Sequence, residues 1–341
     1  MDLRARARVC WFILGLAVGA FVLEPRAQEA VDALSPKEAG QKIVFRPVFR
    51  KSRVLVGEPA VIALYATNIT SEVLEIGSQF RAAGHVGVII GWPEGRLPER
   101  FCGLERPSES PSATYELLPG ETREIRFADN VVYYKLEDED SAEGLVFDHP
   151  TTVSVNLTLK YFINRTQGKG YDSGAFPLQV VAPAQKEDIE ALADLRANKD
   201  WQRALQRIQC WPEQIAAMEA FVKKYPNSTY APYFQLAILS SLAIDRPDSS
   251  SRFEENQKKG LTIADDLEKL HPDFVMMDAA EYLRALCYEN LGQPEQTMNE
   301  LMRLARQFPH CSWAHKDDAL MGRYIFHGDK RTPLVPWSLA R

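Results

Sequence analysis

Residues 152–161 read TVSVNLTLKY, and this stretch decides the fold of the first half of the chain. Val153, Val155, Leu157 and Leu159 fall on one side of an extended backbone, and Thr152, Ser154, Asn156, Thr158 and Lys160 on the other. A period of two puts the first set on a core face and the second toward water. Residues 42–183 hold further short runs of strand formers: 43–49, 60–66, 73–76, 86–90, 114–117, 123–127, 131–134 and 176–181. Gly, Pro, Asn and Ser break these runs at short spacing, the pattern of a sandwich or barrel.

The turns between them are specific. Val56-Gly57-Glu58-Pro59 leads into the run at 60–66, which Asn68 closes. In Leu118-Pro119-Gly120-Glu121 the proline presets φ and the glycine accepts a positive φ at the next position. These devices resemble those of bacterial immunoglobulin-like domains, where V-G-E-P precedes a strand and L-x-P-G-E a later one. The resemblance covers about 140 residues and implies an Ig-like β-sandwich. The Cys-Trp-Cys pattern of antibody domains is absent, which excludes that type.

After Pro183 the composition changes to Ala, Leu, Glu, Gln and Lys, and an internal repeat appears. Residues 211–228 (WPEQIAAMEAFVKKYPNS) and 293–312 (QPEQTMNELMRLARQFPHCS) share Pro-Glu-Gln near the start and an aromatic-proline pair near the end. Residues 261–272 (LTIADDLEKLHP) form a looser middle copy. Pro212 and Pro294 suit a first helical turn, and Pro226, Pro272 and Pro309 stop each helix. Further helices are expected at 187–208, 229–244, 252–270 and 313–324. The unit at 278–311 resembles a tetratricopeptide repeat: Ala285 and Tyr288 take its small and aromatic positions, Gly292 its turn, Leu301 and Leu304 its packing face. Thr297 replaces the expected small residue, and no Trp opens the unit. Residues 225–231 (YPNSTYA) are similar to the junction of periplasmic envelope-assembly repeats.

The fold class expected is therefore multidomain, all-β plus all-α: an N-terminal Ig-like β-sandwich and a C-terminal TPR-like α-hairpin stack. The expected division is 1–27 signal peptide, 28–41 linker, 42–183 sandwich, 184–326 helical repeats and 327–341 irregular tail. Stacked hairpins of that type imply a concave surface lined by their first helices. Helical spacing then nominates Tyr233 and Gln235 on one unit, and Tyr282, Leu286 and Glu289 on another, as a groove for a protein or peptide partner.

The N-terminus speaks for export. Arg4, Arg6 and Arg8 precede an apolar run of 15 residues, 9–23, and Ala27 follows, with Ala20 as the alternative cleavage position. Such an order reads as a secretory signal peptide, and the run is shorter than the roughly 20 residues of a membrane span. The expected location is periplasmic or secreted, with no stable membrane insertion after cleavage. Four cysteines then remain, Cys102, Cys210, Cys287 and Cys311, and their spacing fixes no pairing. The net charge of −6 argues against nucleic acid as a partner.

Chemistry is sparse. The acidic stretch 136–144 (LEDEDSAEG) lacks the glycine of a calcium loop and reads as solvated. His310, Cys311, His315, Asp317 and Asp318 cluster in sequence but read as a polar interhelical loop. No nucleophile elbow, Walker loop or dinucleotide fingerprint occurs, and no cofactor is expected. Sequons at Asn68, Asn156, Asn164 and Asn227 are glycan candidates if the source is a secreting eukaryote. The function expected is a non-catalytic extracytoplasmic interaction scaffold. A surface- or carbohydrate-binding sandwich is the alternative, and a hydrolase-type enzyme the third reading.

Overall fold

A computed structural model describes residues 41–77, 86–93, 99–101, 114–125, 131–132, 145–164, 169–208, 210, 212–244 and 252–311. The signal-peptide segment, the linker up to residue 40, the acidic stretch 136–144, Cys102, the helix expected at 313–324 and the tail lie outside these residues.

Eleven strands come first among the described residues: β1 (Ile43–Phe49), β2 (Arg53–Leu55), β3 (Ala60–Asn68), β4 (Leu74–Gly77), β5 (Val86–Gly91), β6 (Glu99–Phe101), β7 (Thr114–Leu117), β8 (Thr122–Glu124), β9 (Val131–Val132), β10 (Thr151–Ile163) and β11 (Lys169–Val181). One sheet runs β1-β3-β8, with β9 also on β3; the other runs β2-β11-β10-β4-β7, with β5 on β10 and β6 on β5. β10 and β11 form a long antiparallel hairpin. The alternation at 152–161 sets how β10 lies: Val153, Val155, Leu157 and Leu159 are buried, and Thr152 and Ser154 are exposed. β2 pairs with the end of β11 in parallel, Val54 opposite Val180.

Seven helices follow: α1 (Lys186–Ala197), α2 (Lys199–Arg207), α3 (Ile215–Lys224), α4 (Ala231–Ile244), α5 (Phe253–Leu270), α6 (Met277–Asn290) and α7 (Pro294–Gln307), with a 3-10 turn at Pro212–Gln214 before α3. The single helix expected at 187–208 is two. Asn198 interrupts it in an extended conformation, and its side chain accepts from the Trp201 backbone N–H to start α2. An N-cap asparagine replaces a missing intrahelical partner and so favours a fresh start over continuation.

The fold-class expectation is corrected. The chain is a mixed α/β body, not an all-β domain followed by an all-α repeat stack. From Lys42 onward it clusters as one compact unit. One hydrophobic cluster runs without a break from Ile43 in β1 through Leu178 in β11 and Leu195 in α1 to Phe234 in α4 and Leu283 in α6. The physical reason lies in α4, APYFQLAILSSLAI. Twelve of its 14 residues are buried, and it contacts α2, α3, α5 and α6. A helix in a one-dimensional stack keeps one polar face for solvent; a helix apolar all round must be enclosed. α4 is enclosed because its N-terminal end also seats on the strands.

Candidate functional site

The strand–helix seam is built around Val56-Gly57-Glu58-Pro59. Gly57 has φ +79°, and a Cβ there would lie 3.0 Å from Leu145 Cδ1 and 3.2 Å from Leu192 Cδ1. The absent side chain lets α1, through Leu192, approach the turn. Val56 O accepts a 2.6 Å hydrogen bond from Tyr230 Oη, just before α4. Glu58, buried, accepts from Lys51 Nζ at 2.5 Å, from Tyr233 Oη at 3.0 Å and from the Leu55 backbone N–H at 2.8 Å. A turn that reads as strand punctuation is thus the seat for the helices.

A second lock lies beside it. Arg50, at the end of β1, donates to both carboxylate oxygens of Asp278 on α6, at 2.6 and 2.8 Å, and to Glu124 Oε2 at 2.9 Å. It also donates to Val275 O at 2.8 Å. Both carboxylates are shut away, with side chains 0 % and 1 % exposed. Burial alone depresses Arg50, but Asp278 and Glu124 outweigh it and hold the guanidinium well above its usual range. Nearby Tyr65 is pushed up to about 12 by burial and by Glu124. Burial and then Glu58 raise the Tyr233 phenol well above normal, so it stays a donor.

The junction 225–231 completes the fit. Asp188 on α1 accepts from Thr229 N and Oγ1 at 2.6 and 3.0 Å. Asp194 accepts from Tyr225 Oη at 2.6 Å. Hydrogen bonds from Lys224 and Tyr225 hold the Asp194 carboxyl below its ordinary value.

Between the locks lies a cleft of about 240 Å³, below the roughly 300 Å³ at which small-molecule pockets begin. Lys51 and Glu58 line its strand side, Pro232 and Tyr233 its α4 side, and the 270–275 loop after α5 its far wall. The Phe274 ring meets Tyr233 edge-on, centroids 4.9 Å apart. Leu270, at the rim, is 55 % exposed. His271 is hydrogen-bonded to the Pro226 backbone, and burial lowers its pKa despite that bond, so it is neutral at neutral pH. The cleft's central carboxylate accepts three hydrogen bonds across its two oxygens, which fix its orientation.

The residues expected to line one groove are separated. Tyr233 is 1 % exposed and belongs to the seam; Gln235 is 7 % exposed, inside the helical layers. Both are shielded from solvent, and Tyr233 reaches the lining of the cleft. Tyr282 and Leu286 are partly buried on α6 and share a small cluster with Ala285, Leu301 and Met298 of α7. Glu289 is half-buried farther along α6.

Other motifs resolve into structure. His310 O accepts from Glu124 N at 2.8 Å, and its Nδ1 lies 3.0 Å from Thr122 O, so this residue extends β8. Among the described residues no group of three or more His, Cys, Asp or Glu is placed to hold a metal, and no helix is long and apolar enough to cross a membrane. Asn68 is buried and donates to Glu72 O and Leu117 O, which makes it a structural residue. Cys210 and Cys287 are free thiols, and they and Cys311 are buried; burial pushes the Cys210 thiol up to about 11 and Cys287 to about 12.

Sequence reading missed Arg50, Glu58 and the 270–275 loop as partners. Glu58 and Tyr233 are 175 positions apart, and no periodicity joins such positions. No family model matches the chain, and no curated protein matches it significantly.

Proposed function

We propose that the protein is a non-catalytic binding protein of an extracytoplasmic compartment, and that its seam cleft takes an extended segment of a protein partner. The observation that carries the reading is a cleft whose buried carboxylate is already paired, Glu58 with Lys51, while Asp273 stands exposed in its lining. Proline, aromatic and aliphatic surface is left to meet a ligand at Pro232, Phe274 and Leu270. Its volume suits one inserted side chain, and a rigid frame around it lowers the ordering cost of binding. The N-terminal basic and apolar segments support an exported location. A sugar-binding sandwich is less favoured, because the exposed large apolar residues among those described are Val73, Leu118, Ile189, Ile244 and Leu270, all aliphatic.

Photo-crosslinking in cells that make the protein tests this. A photoreactive residue at Leu270 should capture a discrete partner, and one at Val73 should not. Leu270→Asp in the full chain should then lower affinity for that partner at least about tenfold, the scale of one lost apolar anchor, with the melting temperature unchanged. Capture through position 282 alone, or unchanged affinity in Leu270→Asp, contradicts the reading.

A further inference from the structure

A second ionic cluster lies away from the seam, where α5, α6 and α7 meet. Arg284 on α6 donates to Asp265 Oδ1 at 3.1 Å and Glu268 Oε2 at 2.7 Å on α5, and to Glu300 Oε2 at 3.0 Å on α7. Arg303 on α7 donates to Glu268 Oε1 at 2.6 Å. Glu281 lies one turn before Arg284 and one turn after Asp278, so the three form a row along α6. It is the misfit. Its side chain is 3 % exposed; Oε1 lies 3.4 Å from Arg303 Nη2 without hydrogen-bond geometry, and Oε2 is buried with no partner. Around it stand Glu268 from α5, Asp278 and Arg284 from α6, and Glu300 and Arg303 from α7, with Asp265 reached through Arg284. Asp278 is already committed to Arg50. The remaining set, with Glu281 ionised, is four carboxylates facing two guanidiniums.

We propose that Glu281 is a proton-sensitive joint: protonated, it lets α7 pack tightly on α5 and α6, and on losing its proton it loosens that packing. A buried carboxylate whose nearest cation makes no hydrogen bond to it, and whose other oxygen has no partner, is poorly compensated, whereas the neutral acid carries no charge to compensate. Burial is the largest influence, pushing the carboxyl from 4.5 up to about 7; Arg284 opposes it, and Glu300, Glu268 and Asp278 add to it. The folded chain therefore holds this proton where the unfolded chain has released it. Stability from Glu281 is full below about 4.5, declines as pH rises, and is lost above about 7. The cluster is separate from the cleft, so the inference stands apart from the proposed function.

The test uses the full chain and Glu281→Gln, which keeps the shape and removes the titration. Near pH 5 the two should differ little; near pH 8 the variant should melt higher by roughly 2–6 °C. Amides of α7 should exchange faster at pH 8 than at pH 5 in the wild type, after correction for intrinsic exchange, and not in the variant. Should Glu281→Gln fail to fold, carbon-detected NMR of the wild-type glutamate carboxyls decides. The carboxyl assigned to Glu281 should titrate at about 7, well above the ordinary glutamate range. An equal melting difference at both pH values, or titration of every glutamate in the ordinary range, overturns the proposal.

Discussion

Two buried ionic clusters sit on the same helix and behave differently. At the seam, one guanidinium faces two carboxylates, yet Asp278 receives a hydrogen bond on each oxygen, and Arg50 reaches Glu124 and the Val275 carbonyl as well. One turn along α6, Glu281 has an oxygen that nothing satisfies. The counts of charge are similarly unbalanced, so the count does not decide the outcome. Coordination of each buried atom does: fully bonded charges lock two layers together, and a half-bonded carboxylate becomes a place where a proton changes the packing.

The lock breaks most sharply at Arg50. Arg50→Met leaves Glu124 and Asp278 buried without their cation and should cost about 3–5 kcal/mol, read from urea unfolding. Arg50→Lys, which keeps the charge but loses the fork, should fall between that variant and the wild type. Gly57→Ala comes next. It places a Cβ 3.0 Å from Leu145 Cδ1 at a φ of +79° and should cost about 1–3 kcal/mol. Tyr233→Phe removes one donor to Glu58, which keeps Lys51 and the Leu55 N–H; a loss of about 1–2 kcal/mol is expected. The smallest effect sharpens the contrast: Lys258→Ala deletes an exposed pair with Glu254 and should leave the unfolding midpoint unmoved within error.

How much of this was legible in the sequence follows from the range of each interaction. The core face of β10 reads directly from TVSVNLTLKY, since a period of two is local. Pro294 opening α7 reads equally well. The break at Asn198 carried its own signal, an N-cap residue followed by Asp200 in the first turn. The apolar run of α4, interrupted only by Gln235, Ser240 and Ser241, announced a helix buried on every side, in conflict with a solvent-faced stack. Arg50 meeting Asp278 left no local trace, because pairing across 228 positions is decided by how the layers dock. The seam cleft is built from such pairs. The five residues nominated for a groove were chosen by spacing along single helices, which fixes a face but not what covers it.

Strands and helices that share one core and are closed at the seam should open as one cooperative body. Native-state hydrogen exchange on the full chain, wild type against Arg50→Met, tests it most directly. The account requires the amides of β3 and α4 to open with the same free energy in the wild type, and both to fall by the same amount in the variant. Slow β3 exchange persisting in the variant while α4 alone opens would show two independent bodies and contradict it.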